Sequence, residues 1–105
     1  MSKKISFVVP IYNEVDAFDG FYRKMLLPEL EKLKYDYELI LVDDGSKDGS
    51  LEMIQKIAEA DKHVKVLRFS RNFGKEVALT AGIREAVGDA VMTMDADGQQ
   101  PPKLI

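Results

Sequence analysis

Four short apolar runs, each ending in a polar segment, constrain this chain most. Ile5 to Ile11 is apolar except for Ser6 and Pro10, and it carries β-branched Ile5, Val8 and Val9. Runs of this kind read as strands buried on both faces, as in parallel sheets. Glu38 to Val42 is a second strand, Val64 to Phe69 a third, and Ala90 to Met94 a fourth. The intervals between them have helical spacing. Phe18, Phe21, Tyr22, Met25, Leu26, Leu30 and Leu33 mark the first helix, with Asn13 as its expected N-cap and Pro28 expected to kink or divide it. Leu51, Ile54, Ile57 and Ala58 mark the second. Val77, Ala78, Ala81 and Ala86 mark the third, expected to end near Gly88. Pro101-Pro102 reads as the start of a fourth helix, and Met25, Met53, Met92 and Met94 read as core.

Strands and helices that alternate with short connections imply an α/β fold: a Rossmann-like, mainly parallel sheet with helices on both faces. Right-handed crossovers give the expected strand order 3-2-1-4. Winding then reverses between strands 1 and 4, and ligands bind at the carboxyl ends of strands around such a switch point. Three polar segments lie at those ends: Pro10 to Glu14, Asp43 to Ser46, and Asp95 to Gln99.

Composition narrows the function. A chain of 105 residues, 46% of them hydrophobic, is one small domain with enough apolar side chains for a core. A net charge of -3 argues against nucleic acid as the main partner. With no cysteine there is neither a disulfide framework nor a thiolate metal site, which suits a reducing, cytoplasmic setting. The basic start, Met1 to Lys4, leads into an apolar run too short for a signal peptide, and no stretch approaches the ~20 apolar residues of a membrane span. Strand 1 is not followed by G-x-G-x-x-G, which argues against a dinucleotide-dependent oxidoreductase. The G-x-x-x-x-G-K-[ST] phosphate loop is also absent.

Asp95-Ala96-Asp97 is the sharpest chemical signal. Past a strand end the backbone can turn and bring both carboxylates to one point, where Gln99 can add a carbonyl oxygen. Such oxygen donors suit Mg²⁺ or Mn²⁺ shared with ligand phosphates, although a solvated acidic turn has the same pattern. Asp44 can accept hydrogen bonds from a base or a ribose, while Gly45 and Ser46 can simply turn the chain and cap a helix. Tyr12 and Glu14 read either as base and ribose contacts or as a core ring and a helix-dipole partner. Lys75, at the start of the third helix, either meets phosphate or belongs to a solvated turn with Asn72 as cap. His63, the single histidine, reads as a surface residue.

Taken together, VVPIYNE (residues 8–14), LVDDGSKDGS (41–50), SRNFGKEVALTAGI (70–83) and GDAVMTMDADGQQPP (88–102) resemble the family 2 glycosyltransferases, which have the GT-A fold. Four segments in the family's order and spacing, over nearly the whole chain, make the resemblance specific. SRNFGKE is most similar to the polyprenyl-phosphate branch, which includes dolichol-phosphate mannosyltransferases and undecaprenyl-phosphate glucosyl- or aminoarabinosyl-transferases. The resemblance implies that Pro10, Tyr12 and Glu14 border the nucleoside and that Val42 and Asp44 meet the base. It also implies that Ala96 contacts the sugar nucleotide through its backbone, and that Asp95, Asp97 and Gln99 serve the metal and the diphosphate. Gly98 departs from the leucine common at that position. The implied reaction moves a sugar from a UDP- or GDP-sugar to an acceptor, expected to be a polyprenyl phosphate, with inversion and with Mg²⁺ or Mn²⁺.

The resemblance also implies that residues 1–105 are the nucleotide-sugar-binding, N-terminal part of a GT-A fold. The acceptor half, any catalytic base and any membrane association of the parent would then follow Ile105, and no catalytic residue is assigned within the chain. Two other readings are a binding module without turnover and a phosphoacceptor domain with clustered aspartates; the aromatic-acid loop after strand 1 fits the second poorly. Two further expectations follow. Asp44 should govern nucleotide affinity and Asp43 stability. With only a helix start after it, the outer edge of strand 4 should be unpaired and should recruit a second copy of the chain as a homodimer.

Overall fold

The computed structural model describes residues 3–96, and the backbone at 103–104. Its elements are β1 (Lys4–Ile11), α1 (Val15–Phe21), a π-helical turn (Tyr22–Leu26), α2 (Leu27–Glu31), β2 (Asp36–Asp43), α3 (Ser50–Ala60), β3 (Val64–Arg68), α4 (Lys75–Glu85), β4 (Ala90–Thr93) and β5 (Lys103–Leu104). The sheet order is β3-β2-β1-β4-β5. The first four strands are parallel in the expected 3-2-1-4 order, and β5 adds an antiparallel edge.

Alternation along the central strands sorts side chains into two cores. Phe7, Val9, Ile11, Leu39 and Leu41 face one side and pack with Phe18, Tyr22, Leu26, Leu30, Ile54 and Ile57. Val8, Ile40 and Val42 face the other and pack with Ala78 of α4. The molecule is therefore three layers, helix on sheet on helix. A methyl group on Gly82 would lie 2.3 Å from Val8 Cγ1, so α4 sits as close to the sheet as it does because residue 82 has no side chain.

Pro28 has no N–H to give to the preceding turn. The chain absorbs this by widening Tyr22–Leu26 into a π turn, with Leu27 N–H bonded to Tyr22 O, and the helix continues instead of breaking. Asn13 is not the N-cap: Glu14 holds that position, and Asn13 takes φ 49°. The third helix stops at Glu85, with Ala86 as C-cap, before Gly88. Met25 is exposed rather than core, whereas Met94 is buried. His63 is half-buried, with its ring stacked on Tyr37 at 4.3 Å.

Two expectations about the end of the chain change. Pro101 and Pro102 lie outside the described residues, but Lys103 and Leu104 are strand and not helix. They pair with Thr93 and Met92, so the outer edge of β4 is occupied there. The unpaired edge that motivated a homodimer is filled at those positions by the chain's own backbone, and that argument for self-association lapses.

Behind α4 lies a buried polar staple. Glu38 on β2 is 2% exposed. It accepts hydrogen bonds from Ser6 Oγ at 2.5 Å and from Val87 N–H at 2.8 Å, and it meets the Lys65 ammonium at 2.7 Å. Ser6 Oγ in turn accepts Gly88 N–H at 2.9 Å. The segment entering β4 is thereby fixed to β1 and β2. Burial pushes the Glu38 carboxyl up, but its bonds to Lys65, Ser6 and Val87 outweigh that and hold it at about 2, against an ordinary 4.5. A depressed carboxylate contributes stability above its unfolded value and loses it as pH falls through the folded one. The contribution is on the order of 2–3 kcal/mol. The stability gap between wild type and Glu38→Gln in denaturant titrations should therefore shrink by about that much from pH 5 to pH 2. A gap that does not change with pH would show that Glu38 is not held charged.

Candidate functional site

β1 and β4 separate where the chain dictates it. Even-numbered residues of β1 turn their peptide groups toward β4: Lys4 O accepts Asp89 N–H at 2.7 Å and Val8 O accepts Met94 N–H at 3.1 Å. The next amide on that side belongs to Pro10, which has none to give. Pairing with β4 ends at Val8 and Thr93. Beyond it a cleft of about 420 Å³ opens, lined by Pro10, Ile11, Tyr12, Glu14, Asp44, Asn72, Gly74, Lys75, Asp95 and Ala96. Described residues from all three expected polar strand ends line this one cleft.

Asp44 organises its wall. The residue is 2% exposed. Its Oδ1 accepts Phe73 N–H at 2.8 Å, and its Oδ2 accepts Gly74 N–H at 3.0 Å and Asn72 Nδ2 at 2.8 Å. Asn72 Nδ2 also lies 3.2 Å from the Asp44 carbonyl oxygen, and Asp44 N–H donates to Ile11 O at 2.8 Å. Asp44 thus joins β1, through its backbone N–H, and the loop into α4, through its carboxylate, to the end of β2. Gly45, at φ 77°, makes the approach possible: a Cβ there would lie 2.3 Å from the Arg71 carbonyl carbon. Asn72 is a clasp partner, not a cap; Gly74 holds the N-cap position.

The loop after β1 is fixed from β2's side. Asn13 N–H donates to Ser46 Oγ at 2.9 Å, and Asn13 Oδ1 accepts Lys47 N–H at 2.8 Å. Glu14 N–H donates to Ser50 Oγ at 3.0 Å, and Ser50 Oγ donates to Asp48 Oδ1 at 2.6 Å. Ser46 therefore braces the Tyr12–Glu14 loop instead of capping α3. Tyr12 is 44% exposed and is not a core ring; its N–H donates to Glu14 Oε1 at 3.2 Å. Across the cleft Lys75 Nζ pairs with Asp95 Oδ1.

Most expected site residues gather here: Pro10, Tyr12, Glu14, Asp44, Lys75, Asp95 and Ala96 line the cleft. Val42 does not. It is fully buried under α4. Asp97 and Gln99 lie outside the described residues. Asp95 offers hard carboxylate oxygens suited to Mg²⁺ or Mn²⁺, but among the described residues no three metal-ligating groups cluster. In the loop before α4, sequence reasoning misplaced Asn72 and passed over Gly74. Their signal was an Asn-x-Gly preceding a helix, and what it lacked was the partner 28–30 positions away.

The bonding also redistributes stability between the paired aspartates. Among the described residues the Asp43 carboxylate accepts Ser46 N–H, at 3.2 Å on Oδ2, and its buried Oδ1 has no partner. Replacing Asp44 by Asn forces an NH₂ against amide donors, whereas at Asp43 the same change disturbs one long bond. Asp44→Asn should cost about 2–4 kcal/mol and Asp43→Asn about 1 kcal/mol in denaturant unfolding. Equal losses, or a larger loss at Asp43, would mean that the clasp is not what holds the loop.

The profile of Glycosyl transferase family 2 matches residues 6–105. A prophage bactoprenol glucosyl transferase homolog of Escherichia coli is 46% identical over 97% of this chain and 33% of its own length. An undecaprenyl-phosphate 4-deoxy-4-formamido-L-arabinose transferase of Proteus mirabilis is 42% identical over 97% of this chain and 31% of its own. Among solved structures, a mannosyltransferase of Pyrobaculum calidifontis in complex with GDP-Man and Mn²⁺ superposes with TM-score 0.75 at 25% identity, over 92% of this chain and 28% of that one. S. aureus TarS in complex with UDP-GlcNAc gives 0.70 at 28% identity, over 90% and 26%. The chain thus spans about a third of the length of these two curated relatives and about a quarter of the two solved chains. The profile match over nearly every residue, on a sheet shared with GT-A glycosyltransferases, shows that the chain belongs to glycosyl transferase family 2.

Proposed function

We propose that the cleft binds a nucleotide diphosphate sugar, and that the chain is the donor-binding part of an inverting glycosyltransferase whose acceptor is a polyprenyl phosphate. The observation that carries this reading is the convergence of Tyr12, Glu14, Lys75 and Asp95 around one opening at the switch between β1 and β4. The Tyr12 ring is exposed at the rim, where it can lie against a base. Glu14 can accept from a ribose hydroxyl, and the N-terminal end of α4 with Lys75 suits a diphosphate. The relatives named for bactoprenol and undecaprenyl phosphate support a lipid-phosphate acceptor, and with it membrane association of a longer protein. No helix of the described residues is long and apolar enough to cross a membrane.

Asp95, with Asp97 and Gln99, would hold Mg²⁺ or Mn²⁺. When bound, the metal supplies positive charge against the diphosphate and stabilises the leaving nucleoside diphosphate. The chain's own residues orient the donor: the Asp44 clasp fixes the 72–75 wall, and the Ser46–Ser50 braces fix the Tyr12–Glu14 wall. A polyprenyl phosphate is already anionic at neutral pH, so transfer to it asks more of alignment than of a general base. The neighbours that hold GDP-Man and UDP-GlcNAc leave guanosine and uridine as the two donor classes to compare.

Titration calorimetry with UDP and GDP tests the reading. One of the two should bind at least about tenfold more tightly with Mn²⁺ than with EDTA, a difference of ~1.4 kcal/mol. Asp97→Asn should remove most of that difference. Equal affinity with and without metal for both nucleotides contradicts it.

A further inference from the structure

Lys75 opens α4 and Asp95 follows β4, so their ion pair spans the cleft, while the Asp44 carboxylate beside it is bonded to Asn72, Phe73 and Gly74. The Lys75 side chain is 55% exposed and that of Asp95 is 19% exposed. A half-exposed ammonium thus lies over a largely shielded carboxylate.

We infer that Lys75 is a resident counter-cation for Asp95, which an incoming divalent metal displaces and which then turns to the donor's diphosphate. The inference rests on the donor-site reading above. An ammonium and a divalent ion repel strongly in a partly shielded cleft, so both cannot keep close contact with the same carboxylate. Lysine has a flexible four-carbon stem and three rotatable donors, so it can leave Asp95 with no backbone change. Its tether at the first residue of α4 keeps it beside the positive end of that helix, and the charge that fits there is an anion. A diphosphate that shares the metal supplies that anion. Metal alone is therefore opposed by Lys75, whereas metal and nucleotide together are favoured by it. The lysine couples the two ligands, so that they load together and not singly.

This predicts effects of opposite sign from one substitution. Free Mn²⁺ is followed by electron paramagnetic resonance during titration of the full 105-residue chain, alone and with saturating UDP or GDP. Lys75→Met should bind Mn²⁺ alone about fivefold or more tightly than wild type, and should bind the nucleotide in saturating Mn²⁺ about fivefold or more weakly. Lys75→Arg keeps the cation and should stay near wild type in both. Unchanged melting temperatures for the two variants, at a half-exposed position, would separate these effects from misfolding. Metal-dependent nucleotide binding together with unchanged or weakened Mn²⁺ binding in Lys75→Met overturns the counter-cation role and leaves the donor site standing. If wild type shows no metal-dependent nucleotide binding, the donor-site reading fails and this inference fails with it.

Discussion

The cleft depends on the carboxylate of Asp44. Two backbone amides and one side-chain amide converge on its two oxygens, all from a segment 28–30 residues downstream. Hydrogen bonds to an ionised acceptor are the stronger kind, and burial increases what is lost if any is broken. Without the clasp, residues 71–74 would be an exposed loop of polar and glycine residues, with Phe73 47% exposed. With it, the loop becomes a wall, and Lys75 starts α4 at a defined point across from Asp95.

Two other features place the opposite wall. Pro10 ends the pairing of β1 with β4 by omission of an amide, so the strands part at the switch point. Buried Glu38 fixes residue 87 directly, and residue 88 through Ser6, to the sheet and so sets where β4 enters. Cleft geometry is therefore determined at both ends of β4: by a polar staple at its start and by the strand's release from β1 at its end.

Much of this was legible in the sequence. Four strands and the 3-2-1-4 order follow from apolar runs, helical spacing and handed crossovers, and these are local or topological signals. The meeting of three polar strand ends follows from the same order. What was not legible depends on contacts far apart in the chain. Asn72 looked like a cap because capping is a local pattern, and its true partner lies on β2. Asn13 looked like a cap for the same reason, yet its amide and side chain bind Ser46 and Lys47. Pro28 signalled a break, but a π turn absorbs its missing donor. The outer edge of β4 looked open because the chain nearby reads as a proline-led helix start, whereas Lys103 and Leu104 pair with it as strand.

Native-state amide exchange at Phe73 and Gly74 tests the central role of the clasp most directly. Both amides lie in a loop with no secondary structure, next to an exposed ring, so nothing local would protect them. Held by Asp44, they should open with free energies of about 4 kcal/mol or more, near those of the β2 amides. Exchange at the rate of an unstructured loop, with β2 still protected, would show that the wall of the cleft is not held by Asp44.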